Sequence, residues 1–193
     1  MPTISVIVGS TREQRFSEKP AMWILQYLRE RIGIEPKLLD LRDFPMPFFD
    51  ATVAPAKRGN VPYENEAVRR WTNEIALSDG FVVVTPEYNY GPTGVLKNAI
   101  DWVYQEWNRK PICFVGYGSL GGARSIQQLR EIAVELQMVP LRWSVHIPAQ
   151  TLRAHFLGGD VDKGLAELES SANAMIDDLV WWTEALIAAR SGS

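Results

Sequence analysis

The chain has 193 residues, of which 46% are hydrophobic and 22% are charged, and its formal net charge at pH 7 is -3. This balance is typical of one globular domain that can bury a substantial core. The weak net charge argues against a nucleic-acid partner and is unlike that of a strongly acidic electron carrier.

The cysteine content and the N-terminus bear on the compartment. Cys113 is the only cysteine, so no intrachain disulfide can form, and a reducing compartment is the simplest interpretation. Because Cys113 lies in an apolar run, we expect it to be a small buried core residue. The N-terminus lacks the basic and apolar regions of a signal peptide, and no apolar stretch approaches the ~20 residues of a membrane span. We therefore expect a cytoplasmic protein without a membrane partner.

Short apolar runs alternate with longer amphipathic segments along the chain. The predicted strands cover residues 4–8, 37–41, 81–84, 112–115 and 141–145. The predicted helices cover residues 18–31, 65–77, 94–104, 123–137 and 161–189, and the last of them could contain a break. The proline-rich segment 43–62 is predicted to be a long irregular loop at a functional rim, and residues 190–193 a frayed tail.

The alternation of strands and helices predicts an α/β fold with a parallel sheet covered on both faces. We expect a single domain over residues 1–193, with the doubly wound, flavodoxin-like strand order 2-1-3-4-5. In such sheets ligands bind beyond the carboxyl ends of the strands, near the point where the strand order reverses. The chemistry should therefore lie just after Val8, Thr85 and Val115.

The first of these loops, residues 9–17, leads into a helix. A helix start presents unpaired backbone N–H groups and the positive end of the helix dipole, so it is suited to a phosphate. Side chains that could add further donors belong to Ser10, Thr11, Arg12, Arg15 and Ser17. The lysine of a nucleoside-triphosphate loop is missing. The alternative interpretation is a capped, basic helix start exposed to solvent.

The second loop, residues 85–94, contains two prolines and two glycines that fix its backbone path. Tyr88 and Tyr90 offer flat faces that suit a planar heteroaromatic ring, and backbone N–H groups could meet the nitrogens and carbonyls of that ring. The alternative is a rigid turn with both tyrosines on the surface. In the helix that follows, Lys97 and Asp101 stand one turn apart, and we expect them to form a structural ion pair.

The third loop, residues 116–122, matches the spaced glycines of a dinucleotide-binding loop. It follows the fourth strand instead of the first, however, and no acidic residue ends the next strand at the expected spacing. We therefore expect its glycines to let the backbone approach a flat ligand closely. Arg124, which opens the next helix, could meet an incoming phosphate.

The histidines and tryptophans suggest little chemistry. His146 and His155 are expected to lie away from the three loops, and neither is expected to be catalytic. They have no neighbouring Cys/His cluster, so a metal site is not indicated. Most tryptophans should fill the core, but Trp102 and Trp107 are candidates for a subunit interface, where tryptophan is enriched.

Four motifs occur together in order: Ser10-x-Arg12-x-x-Arg15, Pro86-Glu87-Tyr88-Asn89, Leu96-Lys97-Asn98-Ala99-Ile100-Asp101-Trp102 and Gly121-Gly122-x-Arg124. Over residues 3–145 this combination resembles the NADPH-dependent FMN reductase family, whose members include quinone, azo-dye and chromate reductases. The resemblance implies a flavodoxin-like fold, non-covalently bound FMN, NADPH or NADH as co-substrate, and a homodimer or homotetramer.

The resemblance also implies where the cofactor lies, with its phosphate at the first loop and its ring across the other two. The implied FMN-binding residues are Ser10, Thr11, Arg12, Arg15, Phe16, Ser17, Pro86, Glu87, Tyr88, Asn89, Gly118, Ser119 and Gly121. Gly122 and Arg124 are the implied NAD(P)H-binding residues. The chain departs from the family pattern at Arg15-Phe16, where many relatives carry Ser or Gly followed by Asn, and at Thr93, where many carry Pro.

The implied reaction is hydride transfer from nicotinamide to N5 of FMN, followed by reduction of a small acceptor such as a quinone, a flavin or an azo compound. No catalytic side chain is required, because the cofactor carries the chemistry. The main alternative is a flavodoxin-like electron carrier without NAD(P)H activity. A further alternative is a flavin-free, receiver-like signalling domain, although that fold needs acidic residues after the first strand, where this chain has Gly-Ser-Thr-Arg.

Overall fold

The computed structural model describes residues 1–59 and 61–192. Its sheet has five parallel strands in the order β2-β1-β3-β4-β5, which confirms the predicted order. The strands are β1 Thr3–Val8, β2 Glu35–Asp40, β3 Gly80–Pro86, β4 Pro111–Tyr117 and β5 Val139–Ile147. Every residue of the central strands β3 and β4 is buried, as their continuous apolar runs require.

Helices cover both faces of the sheet. They are α1 Glu18–Arg29, α2 Pro55–Arg58, α3 Glu66–Leu77, α4 Gly94–Asp101, α5 Ala123–Glu135, α6 Ala149–Leu157, α7 Val161–Ala166 and α8 Glu169–Ser191, with short 3-10 helices at Leu41–Asp43 and Gln105–Trp107. Side chains cap the starts of α3 and α4. Asn65 accepts a hydrogen bond from the backbone N–H of Val68 at the start of α3, and Thr93 accepts one from Leu96 at the start of α4.

The two faces of the sheet carry separate hydrophobic cores. Val6 and Val8 of β1 pack in the core shared with α1 and α8, whereas Ile7 packs in the core shared with α3, α4 and α5. This division follows from the strand period of two residues. Cys113 of β4 lies fully buried in the first core, and burial raises the pKa of its thiol. The prediction that it is a core residue is confirmed.

Trp102 and Trp107 are not at the surface. They are 4% and 1% exposed within one chain, so the prediction that they form a subunit interface is wrong. The indole N–H of Trp102 donates to the carbonyl of Pro47 at 3.0 Å, and its ring meets Tyr63 edge-on. Trp107 packs edge-on against Phe81 with ring centroids 4.8 Å apart. Both indoles therefore stabilise the core of the single chain.

The long segment 43–62 is tied to α4 by a side chain of that helix. The backbone N–H of Phe49 donates to Oδ1 of Asn98, and Nδ2 of Asn98 donates to the carbonyl of Pro47, at 2.9 and 2.8 Å. The short helix α2 lies within this segment, where the sequence predicted irregular structure throughout. Asn60, which the prediction also covered, lies outside the described residues.

The chain after β5 is more helical than predicted. Residues 149–157 form α6, where the sequence indicated a loop, and the helix predicted over 161–189 is interrupted at residues 167–168. None of the helices in the described part of the chain is both long and apolar enough to cross a membrane.

The end of α8 is held against the amino ends of the strands. Arg190 donates to the carboxylate of Asp79 at 2.9 Å and to the carbonyl of Arg109 at 2.7 Å. These bonds explain why α8 continues through Ser191, into the stretch that was expected to fray. The last residue of that stretch, Ser193, lies outside the described residues.

Candidate functional site

A crevice opens at the carboxyl ends of β1, β3 and β4, the edge where the sequence predicted the chemistry. It is an open groove with a cavity volume of about 90 Å³. Its walls are formed by Arg12, Glu13, Gln14, Arg15, Phe16, Pro86, Glu87, Tyr88, Tyr117, Gly118, Leu152 and Phe156. The three predicted loops therefore meet at one place in the fold.

The expected cofactor-binding residues divide into two groups. Those that line the crevice are Arg12, Arg15, Phe16, Pro86, Glu87, Tyr88 and Gly118. Those that lie in or next to the same loops without lining it are Ser10, Thr11, Ser17, Asn89, Ser119, Gly121, Gly122 and Arg124. The hydroxyl of Tyr88 joins the first two loops, because it lies 3.4 Å from Nη1 of Arg12 and 3.5 Å from Oγ of Ser10.

The first loop offers donors suited to an anion. Within the described residues, the backbone N–H groups of residues 13–17, which lead into α1, form no hydrogen bond of good geometry. Arg12 is exposed, and its guanidinium lies 5.7 Å from the centre of the Tyr88 ring. Successive free N–H groups at a helix start beside an exposed cation are typical of phosphate sites.

Arg15 has a different place from the one expected of a phosphate ligand. Its side chain is 2% exposed, and its guanidinium donates to the carboxylates of Glu18 and Asp40 and to the carbonyl of Ser10. Burial opposes ionisation of Asp40, but the hydrogen bonds and charge of Arg15 outweigh it and lower the pKa of Asp40. The sequence revealed the charge of Arg15 but not these partners. These bonds make Arg15 an internal support of the loop.

The helix start is also anchored to the end of β4. The Ser17 hydroxyl forms a short hydrogen bond with the Tyr117 hydroxyl, and Phe16 packs edge-on against the Tyr117 ring at 5.0 Å. Tyr117 is a crevice residue that the sequence analysis missed, although its place at a strand end was a usable signal. Burial, more than any neighbouring group, raises its pKa to about 12, so it acts as a neutral hydroxyl.

The second loop is held by an ion pair beneath the crevice. Glu87 has a side chain that is 5% exposed, and it accepts from the backbone N–H of Arg124 at 3.0 Å and from its guanidinium. Burial alone would raise the pKa of Glu87, but the bonds and charge of Arg124 lower it. The Arg124 guanidinium also stacks 3.9 Å from the Tyr90 ring centre. Arg124 is thus engaged within the protein, where the sequence suggested a contact to NAD(P)H.

The tip of the second loop is a tight turn. Tyr88 and Gly91 exchange two backbone hydrogen bonds of 2.9 and 3.0 Å. The residues between them, Asn89 and Tyr90, have positive φ angles of 49° and 73°. Gln128 of α5 holds the turn by donating to the carbonyl of Tyr90 at 2.9 Å. The turn is therefore fixed from outside in a backbone conformation that non-glycine residues rarely adopt.

The glycines of the third loop mainly allow protein backbone to pack on protein backbone. A Cβ at Gly116 would lie 2.7 Å from the Gly121 carbonyl, and one at Gly122 would lie 2.7 Å from the Gly116 Cα. At Gly118 it would meet Glu87 at 3.2 Å. At Gly116 and Gly122 the lack of a Cβ therefore serves contacts within the protein.

Both histidines contact the loops, contrary to the expectation that they lie away from them. Nδ1 of His146 donates to the Gly121 carbonyl at 3.1 Å, and Nε2 of His155 donates to the Gln14 carbonyl at 3.2 Å. His146 is on β5, and the end of that strand lies at the same edge of the sheet as the end of β4. His155 reaches the first loop from α6, and it packs edge-on against Phe16.

Helix α6 forms one wall of the crevice. Leu152 and Phe156 project from it into the lining, and Phe156 remains largely exposed. Neither was predicted from the sequence, which indicated a loop after β5. Their spacing of four residues was the available signal. Among residues 1–59 and 61–192, no group of three His, Cys, Asp or Glu side chains is placed to hold a metal ion.

Comparison with known proteins gives consistent matches. A family model described as NADPH-dependent FMN reductase matches residues 2–151. An NAD(P)H-dependent FMN reductase of Schizosaccharomyces pombe is 37% identical over 177 residues, which cover 88% of this chain and 86% of that protein. An NAD(P)H:quinone oxidoreductase of Solanum tuberosum is 33% identical over 144 residues, with 71% of each chain covered.

A solved structure extends the similarity to nearly the whole chain. The flavoenzyme NAD(P)H:(acceptor) oxidoreductase of Paracoccus denitrificans superposes with a TM-score of 0.70 at 28% identity, covering 96% of this chain and 98% of the other. The match includes the region after residue 151, where α6 lies. These similar proteins are named as reductases, so the electron-carrier alternative is not favoured.

Proposed function

Because the chain belongs to the NADPH-dependent FMN reductase family, we propose that it binds FMN non-covalently in the crevice and uses NAD(P)H to reduce a small acceptor. The acceptor classes that we propose are quinones, free flavins and azo compounds. The observation that carries the proposal is that three features lie together at the carboxyl ends of the strands. They are the unpaired N–H groups of residues 13–17, the exposed Arg12 and the ring of Tyr88.

The start of α1 fits the phosphate of FMN. The free N–H groups of residues 13–17 would donate to phosphate oxygens, and Arg12 would add a charged donor. Arg15 would not contact the phosphate, since its guanidinium is occupied by Asp40 and Glu18.

The remaining walls fit a flat ring. Pro86 and Tyr88 would flank it from the second loop, and Gly118 would approach it from the third. Leu152 and Phe156 of α6 would exclude water from its edge. When bound, FMN supplies N5 as the acceptor of hydride from nicotinamide. The contribution of the side chains is to hold the ring at near-contact distance, which is a positioning effect.

The direct test is anaerobic mixing of the FMN-loaded protein with NADPH or NADH. We expect the visible absorbance of the flavin to bleach within one turnover and to return when a benzoquinone is added. An Arg12→Ala variant should bind FMN roughly tenfold more weakly, since a charged hydrogen bond is lost. Its flavin should still bleach once saturated, because the proposed contact of Arg12 is with the phosphate and not with the flavin ring. Flavin that stays oxidised with both nucleotides would indicate an electron carrier.

We also infer a homodimer or homotetramer located in the cytoplasm. Trp143 and Trp181 support assembly, because they are 46% and 61% exposed in one chain and are large aromatic side chains suited to an interface. The single buried cysteine supports a reducing compartment. Light scattering should give a mass two or four times that of one chain, and a mass of one chain would exclude the assembly.

A further inference from the structure

The geometry points to a carbonyl clamp in which Arg42 and His155 act as positioning residues for the first loop. The clamp consists of these two side chains and the loop carbonyls of Thr11, Arg12 and Gln14. By holding the carbonyls of Arg12 and Gln14, it turns the N–H groups of Glu13 and Arg15 toward the phosphate. This inference rests on the proposed function and adds two residues outside the family motifs.

Arg42 holds the first half of the loop from the 3-10 helix that follows β2. Its Nε donates to the carbonyl of Thr11 at 3.3 Å, and its Nη2 donates to the carbonyl of Arg12. One guanidinium fork therefore binds two successive carbonyl oxygens. A lysine ammonium is a single point of charge on a flexible stem and cannot reproduce this planar fork.

His155 holds the second half from the opposite side. Its Nε2 donates to the carbonyl of Gln14 at 3.2 Å. The ring is fixed by edge-on packing against Phe16, with centroids 5.5 Å apart. Gln14 has a φ angle of 48°, which is uncommon for a residue with a Cβ and persists only where surrounding structure supports it. The bond from His155 supplies such support.

Because the peptide unit is planar, fixing the carbonyl of one residue also fixes the direction of the next residue's N–H. In a trans peptide the carbonyl of one residue and the N–H of the next point in opposite directions, and the chain has no cis peptide bond in its described residues. Holding the carbonyls of Arg12 and Gln14 outward therefore directs the N–H groups of Glu13 and Arg15 to the other side. Both belong to the unpaired set that leads into α1.

The test compares FMN with riboflavin, which lacks only the phosphate. Arg42→Gln should weaken FMN binding roughly tenfold, the usual scale for losing charge-assisted hydrogen bonds, and leave riboflavin binding within about twofold. Arg42→Lys should fail to restore FMN binding. His155→Phe keeps a ring against Phe16 and removes only the donor, so it should produce a smaller loss that is again confined to FMN. Far-ultraviolet circular dichroism checks that each variant is folded.

Arg29→Gln is the matched control, because it removes the same charge at the far end of α1 and should leave both affinities unchanged. Equal losses for FMN and riboflavin in Arg42→Gln would overturn the clamp, as would full restoration by Arg42→Lys, which would reduce the role of Arg42 to charge alone. Wild-type protein that binds neither flavin would instead overturn the proposed function, so the two failures are distinguishable.

Discussion

An Arg15→Ala variant is expected to lose about 3 kcal/mol of unfolding free energy together with most of its FMN affinity. Removing one partner of a buried ion pair leaves a poorly solvated charge, which costs roughly 3–5 kcal/mol. The lower end of this energy range applies here because the Asp40 side chain is still 20% exposed. The pair with Glu18 adds little, since that side chain is 54% exposed.

An Arg12→Ala variant distinguishes the roles of Arg12 and Arg15 in the first loop. Arg12 is exposed, so this variant should unfold within about 0.5 kcal/mol of the wild type in urea while still losing FMN affinity. If the Arg15 and Arg12 variants were equally stable, our assignment of Arg15 as an internal support would be wrong.

The stability that Arg15 contributes to the folded protein should also depend on pH. The folded-state pKa of Asp40 lies below its ordinary value, so the stability it contributes is present above that value and is lost as the pH falls through the folded pKa. The stability difference between wild type and Arg15→Ala should therefore narrow below about pH 4. Urea unfolding at a series of acid pH values measures this, and a difference that widened in acid would contradict it.

A Gly122→Ala variant is expected to lose roughly 3 kcal/mol or more of unfolding free energy and to disturb the third loop. Gly122 has a φ angle of 71°, where an alanine is strained by about 1–2 kcal/mol. The added Cβ would also lie 2.7 Å from the Gly116 Cα and from the Tyr117 backbone nitrogen, and neither can rotate away. A forced shift of Tyr117 should weaken flavin binding as well.

Gly158→Ala is the matched control for this variant. Gly158 has a nearly equal φ angle of 74°, but a Cβ there meets nothing within 4 Å. It should lose only about 1 kcal/mol from backbone strain and retain flavin binding. Urea unfolding and flavin titration of both variants separate the cost of backbone strain from the cost of the steric clash at Gly122. Equal losses of unfolding free energy at the two positions would show that the structure relieves this clash.

The sheet was predictable from the sequence because its three inner strands, β1, β3 and β4, are short apolar runs that need no distant partner to be recognised. The order of strands and the edge that bears the loops followed from connection rules for parallel sheets. Helix α6 was not predictable in the same way. Of its residues only Thr151 is buried, so its sequence carries a weak apolar pattern, and its packing partners come from other parts of the chain.

The candidate site shows the same division. The loops and their residue types could be predicted, but side-chain directions could not. Arg15 pairs with Asp40, which lies 25 residues away on β2, and only the folded chain brings the two together. The expectation that the histidines lie away from the loops was wrong for a different reason, because for His146 it did not use the predicted strand order. The carboxyl end of β5 lies beside that of β4, and this neighbourhood of His146 follows from the predicted strand order itself.

The burial of Cys113 would have a chemical consequence with a quinone as acceptor. Quinones, one of the proposed acceptor classes, are electrophiles that alkylate thiolates by conjugate addition. The chain contains a single thiol, which lies beneath the sheet surface and is held in its protonated, unreactive form. If quinones are its acceptors, such a catalyst should survive prolonged turnover with them, because its one thiol is not exposed to alkylation.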